Sequence, residues 1–308
     1  MRVFVTGASG WIGSAVVPDL IDAGHRVVGL ARSEASAEAL AAAGAEALRG
    51  SLDDLGVLRE AAAGTDGVIH LAYKHELAFF DGDPLGAAEA DRRAVEALGE
   101  ALAGSGKPFV LASGTPVEPG RAATEKDGHG GGTGAVSGRP DRMATAEWAL
   151  ALASRGVRVS VVRLPRTVHG EGDPGFVAVL ARTARERGVA GHVGDGTNRW
   201  PAVHRLDAAR LFRLALEEAE AGTTLHAVGD EGVPLRAVAE VIGRHLGLPV
   251  VPVPPGEAGE HFGWLAPILS ADQPASGALT RELTGWRPTR PGLLEDLDAG
   301  HYFRVPPA

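Results

Sequence analysis

The feature that most constrains the fold is a set of three evenly spaced glycines near the start of the chain. Gly7, Gly10 and Gly13 follow the apolar run VFVT and open a stretch with one apolar stripe. That stripe contains Ile12, Val16, Val17, Leu20 and Ile21. Between a strand and a helix, such glycines permit a tight turn, close approach of a pyrophosphate to the backbone, and close helix packing. The spacing predicts a dinucleotide-binding unit rather than a merely structural turn.

Short β-branched runs continue to alternate with alanine-rich stretches as far as about residue 165. The runs with β-branched residues are RVFVT, RVVGL, GVIHLA, PFVLAS and VRVSVVRL, and the short run AEAL, which has none, lies between the second and third of them. This alternation predicts an α/β fold, a Rossmann-type doubly wound parallel sheet with helices on both faces. We expect residues 1–165 to form the dinucleotide-binding domain, with return segments around 203–229. Residues 166–308 are expected to form mainly a smaller substrate-binding part.

The charge balance and the absence of cysteine exclude several classes of function. A formal net charge of -9 over 308 residues disfavours a nucleic-acid partner, which needs a concentrated basic face. Without cysteine the chain has no disulfide, thiolate ligand or thiol nucleophile, as is usual in the cytosol. No apolar run approaches the roughly 20 residues of a membrane helix, and the histidines lack metal-ligand spacing. We therefore expect a cytoplasmic protein that acts on a small molecule, with neither a metal nor a membrane partner.

Five motifs together resemble the short-chain dehydrogenase/reductase superfamily, in its extended, epimerase-like branch. They are TGASGWIG, GVIHLA, FVLASGT, VVRLPRTVHGEGD and AVHRLDAARLF. The resemblance implies that a set of loop residues surrounds the cofactor pyrophosphate: Gly7, Ser9, Gly10, Trp11, Ile12 and Gly13. It also implies that Leu71, Ala72 and Tyr73 run beside the cofactor and that Pro165 lies near its carboxamide. Ser51 and Leu52 stand where many relatives place an aspartate against adenine.

The end of the second predicted strand distinguishes between the two nicotinamide cofactors. An NAD site uses an acidic residue there to hold the ribose 2′-hydroxyl, whereas this chain has Ala31, Arg32 and Ser33. A guanidinium and a hydroxyl suit a 2′-phosphate. We therefore predict NADP(H), the alternative being that Arg32 is only a solvated surface charge.

The tyrosine and lysine of the family motif Y-x-x-x-K are missing. The chain has two tyrosines, Tyr73 and Tyr302, and neither is followed by lysine four residues later. Alignment on Glu147 places Arg139 at the tyrosine position and Met143 at the lysine position. Arginine donates no proton near neutral pH, and a thioether does not titrate. The resemblance is therefore to an atypical subgroup with another proton source.

Several polar residues are candidates for that proton source. Asp91 occupies the position of the family's relay asparagine; alternatively it is an exposed charge that pairs with a neighbouring arginine. Ser113 or Thr115 corresponds to the family serine. Tyr73 and His204 are further candidate donors, and Arg139 could stabilise an oxyanion without giving up a proton.

On the substrate side we expect His75, Met143 and His169, with an aromatic wall that includes Phe176 and Trp200. Phe262 and Trp264 are further candidates for this wall, although aromatic residues at this density are also typical of a core. His70 is expected to be a hydrogen-bonded core histidine. The apolar stretch 141–154 predicts a helix buried on more than one side, and hence a homodimer.

These observations favour an NADPH-dependent reductase that acts on a carbonyl-type group of a small organic molecule. Two alternatives remain open. One is a binding protein that senses NADP(H) without catalysis, which the missing tyrosine and lysine favour. The other is a cofactor-assisted, non-redox isomerase or epimerase.

Overall fold

The computed structural model describes residues 1–79, 82–128 and 142–304. The strands are β1 Arg2–Thr6, β2 Arg26–Ala31, β3 Glu46–Arg49, β4 Gly67–His70, β5 Pro108–Gly114, β6 Arg158–Leu164, β7 Thr167–His169, β8 Ala190–Val193, β9 Arg199–His204, β10 Thr223–His226, β11 Asp230–Pro234 and β12 Val250–Val253. The helices are α1 Gly13–Asp22, α2 Glu34–Ala42, α3 Leu55–Ala63, α4 His75–Phe79, α5 Pro84–Leu102, α6 Arg142–Leu150, α7 Phe176–Arg187, α8 Arg205–Glu218, α9 Leu235–Leu246, α10 Ala258–Phe262, α11 Ala266–Leu269, α12 Ala278–Thr284 and α13 Leu293–Asp298.

Seven strands form one parallel sheet in the order β10-β6-β5-β4-β1-β2-β3. The order reverses direction at β1, as in a doubly wound fold, so the strands on either side of β1 connect through helices on opposite faces. This sheet confirms the predicted Rossmann-type architecture. Its carboxyl edge, where ligands bind in such folds, is the edge that carries the glycine loop.

Side chains of the central strands alternate between two apolar layers. Val3 and Val5 of β1 pack with α1 and α8 in the first core, whereas Phe4 packs in the second core with α5 and α6. Because both faces of the sheet are covered, residues on both sides of each strand are apolar. Successive side chains still point to opposite faces, and this determines which side of the sheet the residues at each strand's carboxyl end occupy.

Helix α6 is shorter than the predicted stretch 141–154. It ends at Leu150 and continues as a 3₁₀ turn over Ala151–Arg155, which Gly156 closes in a left-handed conformation. The helix buries Thr145, Ala146 and Ala149. Trp148 and Leu150 are half-buried and pack against the second core.

The C-terminal part contains two small sheets, β11-β9-β7 and β12-β8, around a third core. The helix α8 that follows β9 returns to the main sheet, where Leu211 and Phe212 join the first core. Strand β10 extends the main sheet beside β6. Within the described residues, no helix is both long and apolar enough to cross a membrane.

Candidate active site

The glycine loop between β1 and α1 is shaped by close backbone contacts. Gly7 has a φ of +67°, and a Cβ added there would lie 2.7 Å from the Ala72 backbone nitrogen. A Cβ on Gly13 would lie 2.1 Å from the Gly7 carbonyl oxygen. Gly10 donates its N–H to that same oxygen at 3.0 Å. The loop thus leaves the N-terminus of α1 accessible to an anion, and its residues fit a dinucleotide pyrophosphate.

Trp11, in the predicted cofactor loop, connects the loop to β7. The Trp11 indole nitrogen donates to the Val168 carbonyl at 2.9 Å, and the Arg205 guanidinium lies 4.4 Å from the Trp11 ring centre. Ser9 is exposed and Ile12 half-buried. Trp11 therefore fixes the loop against β7 rather than projecting freely over a ligand.

At the end of β2 the structure places a basic, exposed surface. The Arg32 side chain is 72% exposed and lies 3.6 Å from Glu76. Ser33 caps α2, because its hydroxyl accepts the N–H of Ser36 at 3.2 Å. Arg49 ends the neighbouring strand directly opposite Ala31, and the sequence did not single it out. Two arginines, Arg32 and Arg49, therefore lie at the carboxyl ends of the neighbouring strands β2 and β3.

Ser51 and Leu52, predicted to lie near adenine, follow β3. Leu52 is buried, and the Ser51 hydroxyl donates to the Asp54 carboxylate at 2.9 Å. The neighbouring Asp53 is exposed and pairs with Lys74 at 2.7 Å. The contact of Ser51 and Leu52 with adenine stays a prediction.

A polar layer lies over the second core at the carboxyl ends of four adjacent strands. It consists of Thr6, His70, Ser113 and Arg163, all almost completely buried. Each of these residues lies two positions after an apolar residue of the second core. Those apolar residues are Phe4, Val68, Leu111 and Val161. Since side chains two apart share a face of a strand, all four point toward α5 and α6. This layer forms the base of the candidate active site.

Within that layer, Thr6, His70 and Asp91 form a chain of hydrogen bonds. Thr6 Oγ1 lies 2.8 Å from His70 Nδ1, and His70 Nε2 lies 3.2 Å from Asp91 Oδ1. Thr6 Oγ1 also accepts the Ala72 N–H at 3.3 Å. The hydroxyl proton is therefore directed at Nδ1, and Nε2–H donates to the carboxylate.

Asp91 is 1% exposed, so the alternative of a solvated helix charge is wrong. Its neighbour Arg92 instead pairs with Glu89 and Glu96. Asp91 Oδ2 is buried and accepts no hydrogen bond from the described residues. The expectation that His70 is a hydrogen-bonded core histidine is confirmed, but its carboxylate partner was not anticipated.

Ser113 and Thr115 lie at the end of β5. Ser113 Oγ is buried and, within the described part of the chain, has no hydrogen-bond partner. Thr115 is half-buried and donates its N–H to the Leu164 carbonyl at 3.0 Å. Ser113 and Asp91 thus each present one unsatisfied oxygen on the same side of the sheet, which is where a bound water or substrate oxygen would be stabilised.

Tyr73, His75 and Arg142 form a second cluster beyond β4. The Arg142 guanidinium lies 4.7 Å from the Tyr73 ring centre, and the Tyr73 and His75 rings are 5.0 Å apart. Burial lowers the pKa of His75, and the nearby charge of Arg142 lowers it further. Arg139 lies outside the described residues. Met143, one residue after Arg142 in α6, is half-buried.

The predicted aromatic wall divides into a core part and a surface part. Trp200 is 1% exposed, and Phe262 is also buried in the third core. The prediction that Trp200 contacts substrate is therefore wrong, because its side chain is packed inside the third core. Phe176 is half-buried and lies between Trp200 and the exposed Trp264, with ring centres 5.8 and 6.1 Å away.

His169 is fully buried and holds the C-terminal helix. Its Nδ1 lies 2.9 Å from Asp296 Oδ2, and His301 Nε2 lies 3.1 Å from Asp296 Oδ1. Burial tends to raise the pKa of Asp296, but these two hydrogen bonds outweigh it and lower the pKa. Next to His301, Tyr302 donates its hydroxyl hydrogen to the Asp173 carboxylate at 2.9 Å, a further contact of the C-terminal residues with the segment after β7. No sequence pattern indicated this network.

His204 belongs to the neighbourhood of His169 rather than to the polar layer. It caps α8 through Nδ1, which accepts the Leu206 N–H at 3.2 Å, and its ring lies 5.5 Å from that of His169. Both histidines line a cavity of about 120 Å³ that Arg290 also borders. Burial lowers the pKa of His204. Among the described side chains, no group of three or more histidines and carboxylates is arranged to hold a metal.

Comparison with known proteins gives one family model and several relatives along most of this chain. The model of the NAD dependent epimerase/dehydratase family matches residues 3–228. An uncharacterized protein of Schizosaccharomyces pombe is 45% identical over 98% of this chain and 100% of its own length. A 2-alkyl-3-oxoalkanoate reductase of Stenotrophomonas maltophilia is 28% identical, with 82% and 77% of the two chains covered. The 4-hydroxy-2-methyl-3-oxo-4-farnesyl-3,4-dihydroquinoline-1-oxide ketoreductase of Stigmatella aurantiaca is also 28% identical, with 89% and 84% covered.

Solved structures share the fold at lower identity. The dTDP-glucose 4,6-dehydratase of Streptomyces venezuelae, a double mutant with NAD bound, superposes with a TM-score of 0.77 at 19% identity, covering 99% of this chain and 98% of that one. The UDP-glucose 4-epimerase of Thermus thermophilus in complex with NAD gives a TM-score of 0.72 at 22% identity, covering 98% and 99%.

Proposed function

Because this chain belongs to the NAD dependent epimerase/dehydratase family, we propose that it is an NADPH-dependent reductase of a carbonyl group in a small organic molecule. The observation that carries the proposal is the buried chain Thr6–His70–Asp91, which runs from the strand before the cofactor loop to the unsatisfied Asp91 Oδ2, with the unsatisfied Ser113 Oγ in the same polar layer. Two relatives at 28% identity are named as reductases of carbonyl compounds, which supports the same reaction type.

The glycine loop would hold the cofactor through the N-terminus of α1, with Leu71, Ala72 and Tyr73 along one side and Pro165 at the carboxamide. When bound, the reduced nicotinamide supplies a hydride to the carbonyl carbon, leaving negative charge on the carbonyl oxygen. The residues of this chain must then stabilise that oxygen and deliver one proton to it.

We assign the orientation of the carbonyl oxygen to Ser113, whose buried hydroxyl has no partner within the described residues. Asp91 would relay a proton from solvent to that oxygen through a water held between its Oδ2 and Ser113 Oγ, and His70 would orient the carboxyl through Nε2–H. Reduction consumes one hydride and one proton, and the chain regains its proton from solvent. Thr115 remains an alternative for the orienting hydroxyl.

Preference for NADPH would come from Arg32, supported by Arg49 on the adjacent strand. Within the described residues, both guanidinium groups pair with exposed glutamates, at 3.6 and 3.5 Å, and such surface pairs are weak enough to exchange for a phosphate. Ser33 would contribute the N-terminus of α2, which it caps, as an additional anion-binding group.

We also propose a homodimer in which α6 packs against its counterpart, because the half-buried Trp148 and Leu150 place apolar side chains on more than one side of this helix. A helix that is apolar on more than one side favours more than one packing partner. A monomer mass in light scattering at micromolar protein concentration would disprove the dimer without affecting the proposed reaction.

The reaction is tested by incubating the purified protein with NADPH or NADH and a panel of ketones, aldehydes, enones and imines, while absorbance of the reduced cofactor is followed. We expect NADPH oxidation with at least one carbonyl compound, and a lower Kd for NADPH than for NADH. NADPH binding without turnover across the panel would favour the sensor or the non-redox isomerase, because the usual tyrosine and lysine are absent. Equal or tighter NADH binding would reject the cofactor assignment.

A further inference from the structure

Arg166 is a half-buried cation just past the carboxyl end of β6. Its Nε and Nη2 groups both donate to one atom, Gln273 Oε1, at 3.1 and 2.7 Å. Its guanidinium carbon lies 5.8 Å from the ring centre of Phe176. The side chain is thus held in one orientation by a neutral amide on one side and an aromatic ring nearby.

No carboxylate in the described part of the chain forms an ion pair with Arg166, and burial lowers the pKa of its guanidinium. Arg199 differs from Arg166 because it has an acidic partner. Its Nη2 lies 2.8 Å from Asp272 Oδ2, so Asp272 neutralises it. A buried charge without a counterion destabilises a fold, whereas the same charge paired to a ligand is stabilised on binding. Arg166 therefore has the properties of an anion-binding group.

The position of Arg166 relates it to the proposed reaction site. It follows Leu164 by two residues, and the Leu164 carbonyl accepts the Thr115 N–H at 3.0 Å. In the sheet register Ser113 lies opposite Arg163. The backbone of Arg166 therefore lies two residues past the last residue pair that joins β6 to β5.

We propose that Arg166 binds a carboxylate of the substrate, which makes the substrate class an oxo acid. This inference rests on the proposed function and names its substrate class. One guanidinium neutralises a singly charged carboxylate and matches its planar geometry, whereas a phosphate dianion would keep an uncompensated charge. Phe176 and the 46% exposed Trp264 would contact the carbon part of the substrate.

The carboxylate subsite is tested by calorimetry with phenylacetate, methyl phenylacetate and phenyl phosphate, in saturating NADP⁺ and in its absence. We expect phenylacetate to bind at least tenfold more tightly than its uncharged ester. Arg166→Met should remove this preference, and Arg166→Lys should weaken it because an ammonium lacks the planar fork. Arg182→Met, on the exposed surface of α7, is the matched control and should retain it.

Gln273→Glu supplies a second test that does not weaken the fold. The new carboxylate replaces the amide oxygen that Arg166 already contacts, so it becomes an internal counterion. Phenylacetate affinity should fall at least tenfold while the melting temperature stays the same or rises. If Arg166→Met does not fold, this variant decides the question.

The proposal is overturned if acid and ester bind equally or not at all, if the preference for the acid survives Arg166→Met or Gln273→Glu, or if phenyl phosphate binds more tightly than phenylacetate. These measurements involve no turnover. Absence of carbonyl reduction would therefore reject the proposed function while leaving the carboxylate subsite to be judged on binding alone.

Discussion

His70 Nε2 lies 3.2 Å from Asp91 Oδ1, with the two side chains 0% and 2% exposed. The other imidazole nitrogen is held by Thr6, so the ring is fixed from both ends. A carboxylate and an imidazole in contact share their protons, and they can exchange one without moving either side chain. In the proposed reaction this pair would handle the proton in place of the tyrosine and lysine that the sequence is predicted to lack.

Asp91→Asn tests the proton path. The amide keeps the shape of the carboxyl but carries no transferable proton, so kcat for carbonyl reduction should fall by about tenfold or more. The Kd of NADPH, measured by fluorescence titration, should stay within about twofold because Asp91 does not touch the glycine loop.

Tyr73→Phe is the comparison for Asp91→Asn. Its ring stacks with Arg142 beyond β4, so loss of the hydroxyl should reduce kcat less than loss of the Asp91 carboxyl. Full activity in Asp91→Asn would reject the relay and move the search for the donor to His204 or Thr115.

Thr6→Val tests whether the chain positions Asp91. Valine preserves the volume but leaves His70 Nδ1 and the Ala72 N–H without a partner, which should cost about 1–3 kcal/mol of unfolding free energy. We also expect a drop in kcat with little change in KM, and a shifted pH profile of kcat. Thr65→Val removes another buried hydroxyl, which donates to the Ala61 carbonyl at 2.8 Å. That variant should lose stability while keeping kcat, and equal kinetic effects in both would argue against a positioning role.

Sequence patterns predicted those features that depend on neighbours along the chain. β-branched runs gave the strands of the main sheet, and the spacing of Gly7, Gly10 and Gly13 gave the turn that the positive φ of Gly7 requires. Contacts between distant residues had no such pattern. Asp91 lies 21 residues from His70, Gln273 lies 107 from Arg166, and Asp296 lies 127 from His169. These pairings arise from how the strands and the C-terminal segment pack, so single-residue types could suggest candidates but not partners.

Gly13→Ala tests the close packing of α1 on the cofactor loop. The added methyl would lie 2.1 Å from a backbone oxygen, so the loop must shift. We expect a loss of about 1–3 kcal/mol in unfolding free energy and at least tenfold weaker NADPH binding. Gly56→Ala is the control, because a Cβ there meets nothing within 4 Å inside α3. It should stabilise the protein by up to about 1 kcal/mol, and similar NADPH affinity in both variants would contradict the assigned loop.

Arg32→Gln tests cofactor selection. Removal of the guanidinium should raise the Kd of NADPH about tenfold, equivalent to roughly 1.4 kcal/mol, and leave the Kd of NADH unchanged. Arg59→Gln is the control, since Arg59 is also exposed and loosely paired, with Glu100 at 3.5 Å. Equal weakening of both cofactors by Arg32→Gln would show that the side chain does not discriminate between them.

His226 makes the fold sensitive to acid. Its Nδ1 lies 2.9 Å from the Ser276 carbonyl, so it carries the proton, while Nε2 accepts from Arg163 at 3.2 Å. If Nε2 were protonated as well, the imidazolium would place its positive charge against that of Arg163 inside the protein. Burial, together with Arg163, lowers the pKa of His226 from 6.5 to about 4.

Because the unfolded chain binds more protons than the folded protein between these two pKa values, stability falls as pH drops from about 6.5 toward 4. The contribution of His226 to that loss at pH 4.5 should be about 2 kcal/mol. His226→Gln keeps one donor and one acceptor but does not titrate, so its urea midpoint should decrease less than that of the natural protein over this interval. His245→Gln, which removes a surface histidine bonded to Asp298, should keep the natural pH dependence. An unchanged acid dependence in His226→Gln would mean that another buried group limits stability at low pH.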